Sequence, residues 1–132
     1  MLRIVLFCFA TLSTLLCRAE GREGEIISVT SDGTTRRALV YAPQEQRAPA
    51  PLVFVFHGRG GSMHGISKKI DIHNFWSEAI VVYPQGMWCE GGYRDGFGWV
   101  ISDTEDEGRD IRFFDLLLEY LEKNYSVDAD NI

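Results

Sequence analysis

The chain has 132 residues, 45% of them hydrophobic and 24% charged, with a formal net charge of −6. That is the length of one small domain and the composition of an ordinary globular protein. So acidic a chain argues against nucleic acid or an anionic membrane as its main partner.

The first residues are unlike the rest. Met1-Leu2-Arg3 is a short basic start, and residues 4–17 are apolar apart from Thr11, Ser13 and Thr14. Cys17-Arg18-Ala19 then sets small residues at the −3 and −1 positions of a cut after Ala19. This is the three-part pattern of a secretory signal peptide, with an apolar run too short for a spanning helix. The alternative is an N-terminal anchor. The sequence therefore predicts a signal peptide over residues 1–19, a mature domain over 20–132, and an extracellular or periplasmic protein free of the membrane. Cleavage removes Arg3 and Arg18 and no acid, which takes the net charge from −6 to −8. It also removes Cys8 and Cys17. Cys89 is left alone, and an odd cysteine in an exported protein predicts a partner outside this sequence.

Residues 26–30 and 35–41 are rich in β-formers and flank Ser31-Asp32-Gly33-Thr34, so they predict a hairpin. Residues 42–51, with three prolines and four consecutive polar residues, read as a surface loop. Leu52-Val-Phe-Val-Phe56 is an unbroken apolar run, the signature of a strand buried on both faces of a mostly parallel sheet. A turn follows at once, His57-Gly58-Arg59-Gly60-Gly61. The spacing of Ile72, Phe75, Trp76 and Ala79 predicts a helix over residues 70–79, with His73 on its surface. Residues 80–83 form a second buried strand, stopped by Pro84. Residues 85–99 are a long loop with five glycines and the aromatics Trp88, Tyr93, Phe97 and Trp99. Such loops are functional or disordered, and the aromatics argue against disorder. Residues 111–125 predict an amphipathic helix with Ile111, Phe114, Leu118, Leu121 and Tyr125 on one stripe, widened by Phe113 and Leu117 and N-capped by Asp110. Ile132 opens a third strand. The order hairpin, strand, helix, strand, helix specifies an α/β fold.

The turn at 57–61 carries the chemistry. It is no nucleotide cradle, because G-x-G-x-x-G needs glycine where Met63 stands and the Gly-Lys-Ser/Thr of a P-loop is missing. An HG turn after a buried strand instead suits an oxyanion hole, whose backbone amides must reach a developing negative oxygen unobstructed. A bare strand-to-helix turn is the other reading. G-x-S-x-G occurs nowhere in the sequence. Ser62 lies inside the turn itself, Ser67 lacks flanking glycines, and no pattern marks His57, His64 or His73 as a general base. Asp103, Glu105 and Glu107 before Gly108 imitate the start of a Ca²⁺ loop, but its twelfth position is Phe114 rather than a bidentate acid. A solvated acidic loop is the simpler expectation, with no metal.

Taken together, PLVFVFHGRGGS, VVYPQGMW and DIRFFDLLLEYLEKNYSVDADNI resemble the secreted α/β-hydrolase esterases grouped as polyhydroxybutyrate depolymerase-like and feruloyl or acetylxylan esterases. The resemblance spans residues 37–132. It implies a serine carboxylic-ester hydrolase acting on hydroxyalkanoate polymers or plant-wall carbohydrates without a cofactor. Carried over by residue, the amide of Arg59 is the oxyanion donor, with His57, Gly58 and Gly60 shaping the turn; Trp88, Tyr93 and Trp99 are candidate substrate contacts. In that family a G-x-S-x-G elbow follows the next strand, and the triad acid and base follow later. The expectation is thus an N-terminal portion of such a hydrolase, truncated before the elbow, with no triad residue assigned and no turnover alone. Its rivals are a non-catalytic carbohydrate-binding fragment that stacks sugars on the loop aromatics, and an unfolded gene remnant.

Overall fold

A computed structural model describes residues 22–45, 48–91, 94–100 and 108–132. The proposed signal peptide, Tyr93 and the acidic stretch 103–107 lie outside the described residues. Strands β1 (Glu25–Ser31) and β2 (Thr34–Tyr41) form the hairpin. Asp32 and Gly33 both take left-handed φ, 50° and 73°, as a two-residue turn matched to strand twist requires. Then follow β3 (Leu52–Phe54), α1 (Met63–Lys69), α2 (Ile72–Phe75), β4 (Ile80–Pro84), β5 (Met87–Cys89), β6 (Gly96–Gly98) and α3 (Arg109–Asn124).

The main sheet has the order β1-β2-β4-β3. The hairpin contributes antiparallel pairings on one side, while β3 and β4 run parallel on the other. Beyond β3, the segment after α3 begins another parallel rung: Ala50 bridges Val127, and the Leu52 amide donates to Asn131 O at 2.9 Å. Both faces are covered, which is why the strands read as continuous apolar runs. On one face Ile27, Ala38, Val40, Leu52, Ile80 and Val82 pack against Phe113, Leu117 and Leu121 of α3. On the other, Leu39, Val55, Val81 and Tyr83 pack with Met63, and Ile66 and Ile72 of the short helices lean on them.

Several sequence expectations are corrected. The run 52–56 is a strand only to Phe54, with Val55 adding one more bond to Val82 O, and Phe56 is exposed. Pro84 of β4 has no N–H to offer the next rung of this parallel pair. The helix expected over 70–79 is a single turn, 72–75, and the longer helix precedes it. Ser62 starts α1 by accepting the Gly65 amide at 3.1 Å, and α1 ends where the Tyr83 hydroxyl takes Ile70 O. Phe75, one of the residues whose spacing predicts that helix, is 88% exposed. His73 is buried rather than on a surface: it stacks on Tyr41 at 3.6 Å and its Nδ1 lies 2.9 Å from the Tyr83 hydroxyl. Gly108, not Asp110, is the N-cap of α3.

Asp110 has a different task. It sits buried in the first turn of α3 and pairs with the equally buried Arg36 of β2 at 2.7 Å, while its other oxygen accepts the Val100 amide at 2.8 Å. The guanidinium of Arg36 also lies 4.1 Å from the centre of the Phe113 ring. Asp110, Phe113, Leu117 and Leu121 therefore form the inward seam of α3, and Ile111, placed on the stripe by periodicity, faces solvent.

Asp110→Ala is expected to cost about 3–5 kcal/mol in urea unfolding, because Arg36 is left buried without its counter-charge. The double variant Arg36→Met/Asp110→Leu should recover most of that loss. His73 supplies a pH dependence. Burial lowers its pKa below the ordinary imidazole value, with Arg22 adding to the effect and Asp71 opposing it. The unfolded chain thus takes up this proton first, so stability is full above the unfolded imidazole value and falls as pH drops through it. Melting temperature should decrease from pH 7.5 to 5.5, less steeply in His73→Phe.

Candidate active site

The turn after β3 is held by side chains. His57 is 3% exposed. Its Nδ1 lies 2.9 Å from Gly58 O, and its Nε2 lies 3.0 Å from the Gly86 amide and 3.2 Å from Gln85 Nε2. A carbonyl only accepts and an amide only donates, so the ring is neutral with its proton on Nδ1. The carbonyl of His57 accepts the Trp99 indole N–H at 2.8 Å. Gln85, at the end of β4, also accepts the Met63 amide at 3.0 Å, which ties the start of α1 to the same network.

The turn's amides divide into two groups. Gly61 N–H donates to Gly58 O at 2.9 Å, and Gly60 N–H to Phe97 O at 2.6 Å. The amides of Gly58 and Arg59 carry no hydrogen bond among the described residues. The glycines divide in the same way. Gly60 has φ +78° and Gly61 has Gly58 O within 2.9 Å of where a Cβ would stand, so the fold itself demands both. Gly58 has neither a left-handed φ nor any atom within 4 Å of an added Cβ, alone among the described glycines. Nothing inside the protein requires a glycine there. Its open flank suits a backbone that a ligand must approach.

β5 and β6 form a small antiparallel ribbon that closes over the turn. Gly96 and Gly98 face inward, against Gly60 and the Arg59 side chain. Arg59 donates to Arg94 O (3.1 Å) and Gly91 O (2.7 Å), and Arg94 returns a bond to Arg59 O at 2.6 Å. The cross-strand partners Trp88 and Phe97 stand on the outer side, 53% and 45% exposed, in an edge-to-face pair 5.5 Å apart. Trp99 is spent on the turn and on Phe56, whose ring it meets edge-on at 5.0 Å.

The other candidates are otherwise engaged. Ser62 Oγ caps α1, and Ser67 Oγ donates to His64 O within the same helix. His73 is locked between Tyr41 and Tyr83. Cys89 is a free thiol that accepts from Arg109 Nη2 at 3.1 Å. No three of His, Cys, Asp or Glu cluster as a metal site among the described residues. Sequence reasoning missed Gln85, Gly86 and Arg94; the only local signal for the first two was the Pro84-Gln85-Gly86 break after β4.

Solved structures share this fold. A thermostable carboxylesterase cloned from a metagenomic library matches with a TM-score of 0.57 and 20% identity, over 83% of this chain and 35% of that one. An S-formylglutathione hydrolase from Agrobacterium tumefaciens gives 0.64 and 16%, over 84% and 47%. The fold is that of the α/β-hydrolases. A ferulic acid esterase from the anaerobic fungus Anaeromyces mucronatus gives 0.53 and 18%, over 97% and 53%. The chain thus spans from about a third to about half of the length of these three structures. At such identities the likeness is one of fold. No family profile and no curated protein matches the sequence.

Trp88 and Trp99 should separate on substitution. Trp99→Ala is expected to cost about 3 kcal/mol and to broaden signals of the turn, since it removes a large packed ring and leaves His57 O without its donor. Trp88→Ala should stay within about 0.5 kcal/mol of the parent, as an exposed side chain outside the core. Paired urea titrations measure both.

Proposed function

We propose that the protein is a carboxylic-ester hydrolase in which residues 52–61 bind the electrophile. The reaction is acyl transfer: a serine attacks the ester carbonyl, a histidine takes the serine's proton and returns it to the leaving alcohol, and the tetrahedral oxyanion accepts the Arg59 N–H. One observation carries the reading. The Arg59 amide is unspent beside a glycine that the fold does not need, at the carboxyl end of a strand in an α/β sheet. The esterases among the structural matches support the reaction class. Export and a polymer-borne ester, on plant-wall carbohydrate or a hydroxyalkanoate, rest on the N-terminal pattern and the family resemblance. Among the described residues no serine hydroxyl meets a histidine ring, and the sequence holds no G-x-S-x-G, so nucleophile, base and acid are assigned to no residue here.

A second reading is favoured by the Trp88–Phe97 pair, whose exposed faces could stack on sugar rings. Retention on insoluble xylan that Trp88→Ala abolishes without loss of fold supports it.

The ester reading has a direct test. This 132-residue chain should show no hydrolysis of p-nitrophenyl acetate or methyl ferulate that a serine-directed phosphonate blocks. The transcript read past the codon for Ile132 should encode G-x-S-x-G within about a dozen codons, the length of a strand and its turn. In that product Gly58→Ala should leave the melting temperature unchanged and lower kcat by about 10²-fold, the scale of one lost oxyanion contact. Absence of the motif, or an unaffected kcat, overturns the assignment.

A further inference from the structure

We infer that His57 is a positioning residue whose Nδ1–H tautomer aims and polarises the Arg59 amide. The inference rests on the ester reading for its purpose, though not for its geometry. Gly58 C=O and Arg59 N–H belong to one peptide plane, and in a trans peptide they point in opposite directions. Gly58 O is held on the protein side by two donors, Gly61 N–H and His57 Nδ1–H, both at 2.9 Å. Fixing the oxygen inward turns the Arg59 N–H outward, toward the flank that Gly58 leaves open. Hydrogen bonds to a carbonyl also draw electron density from the amide nitrogen across the plane, which strengthens its N–H as a donor.

The tautomer is itself enforced. Nε2 accepts from the Gly86 amide and from Gln85 Nε2, so it has no place for a proton. A ring protonated at Nε2 instead would set two donors against that position and a lone pair against Gly58 O. The neighbouring plane shows the contrast. Peptide 59–60 is fixed at both ends, its carbonyl by Arg94 and its amide by Phe97 O, so it has nothing to offer a ligand. Peptide 58–59 is fixed at one end only. The histidine of the HG pair thus orients the donor that its neighbour carries, and the ring itself needs no contact with substrate.

NMR of this chain tests the inference without any turnover. Imidazole nitrogen spectra of the unmodified protein at pH 7.5 should show His57 Nδ1 protonated and Nε2 bare. Protonation at Nε2, or at both nitrogens, overturns it. In His57→Phe, which keeps a ring but removes the donor, the Arg59 ¹⁵N resonance should move upfield while the amides of Leu117 and Leu121 hold their positions. An unmoved Arg59 resonance in a folded variant also overturns it. Should the variant not fold, the tautomer measurement on the parent decides alone. Failure of the ester reading leaves both spectra unchanged, so the two ideas fall separately.

Discussion

Pro84 lacks an amide hydrogen, and much of the site follows from that one missing donor. β4 runs through the centre of the sheet and bonds β3 rung by rung until Val82 O takes the Val55 amide. The next rung would need a donor at position 84. Without it β3 leaves the sheet, and its polar groups must be satisfied by other means or left to solvent. Side chains take over at that point. The His57 ring accepts the Gly86 amide, the Trp99 indole takes His57 O, and Gln85 reaches the first amide of α1. A turn secured by side chains can hold some backbone groups and leave others open, which a regular ladder cannot do.

The same logic governs α3. A purely apolar seam would let the helix rotate by a residue or two, since Ile111, Phe114 and Leu118 offer nearly as much apolar surface as Phe113 and Leu117. The buried Arg36–Asp110 pair removes that freedom, because any rotation would strand a charge away from water. It also fixes Val100, and through it the end of the ribbon that Gly60 N–H engages. The charge pair therefore contributes registry at a cost in desolvation.

What the sequence disclosed and what it hid differ in range. The hairpin, β4 and the existence of α3 rest on local pattern: Asp32-Gly33 demands its turn, and 80–83 has no polar residue to place it anywhere but inside. Features set by distant partners were illegible. Asp110 read as a cap because its partner Arg36 lies 74 residues away. His73 read as surface because Tyr41 and Tyr83, which bury it, sit on other strands. Arg22 showed nothing in sequence, yet its guanidinium collects carbonyls of Tyr41, Ala42, His73, Trp76 and Ala79. Of these, His73 O is a carbonyl that a longer helix over 70–79 would have bonded internally, so the arginine helps make the single turn of α2 tenable. For the site, the type of turn was legible from His57-Gly58, whereas the division between spent and unspent amides needed the ribbon.

That division also bears on how the donor can be ready before a ligand arrives. Each group that orients the peptide planes of the turn lies between His57 and Trp99: the imidazole, the Gln85-Gly86 corner, the Arg59–Arg94 exchange, Phe97 O and the indole. Gly96 and Gly98 let the ribbon backbone come close enough for these bonds, because a Cβ at either would meet Gly60 or the Arg59 side chain. Donors fixed in this way need no reorganisation when charge develops, which is the condition for strong electrostatic stabilisation of an oxyanion. No serine hydroxyl takes part in this network among the described residues. The geometry of the turn is therefore set by the segment between His57 and Trp99.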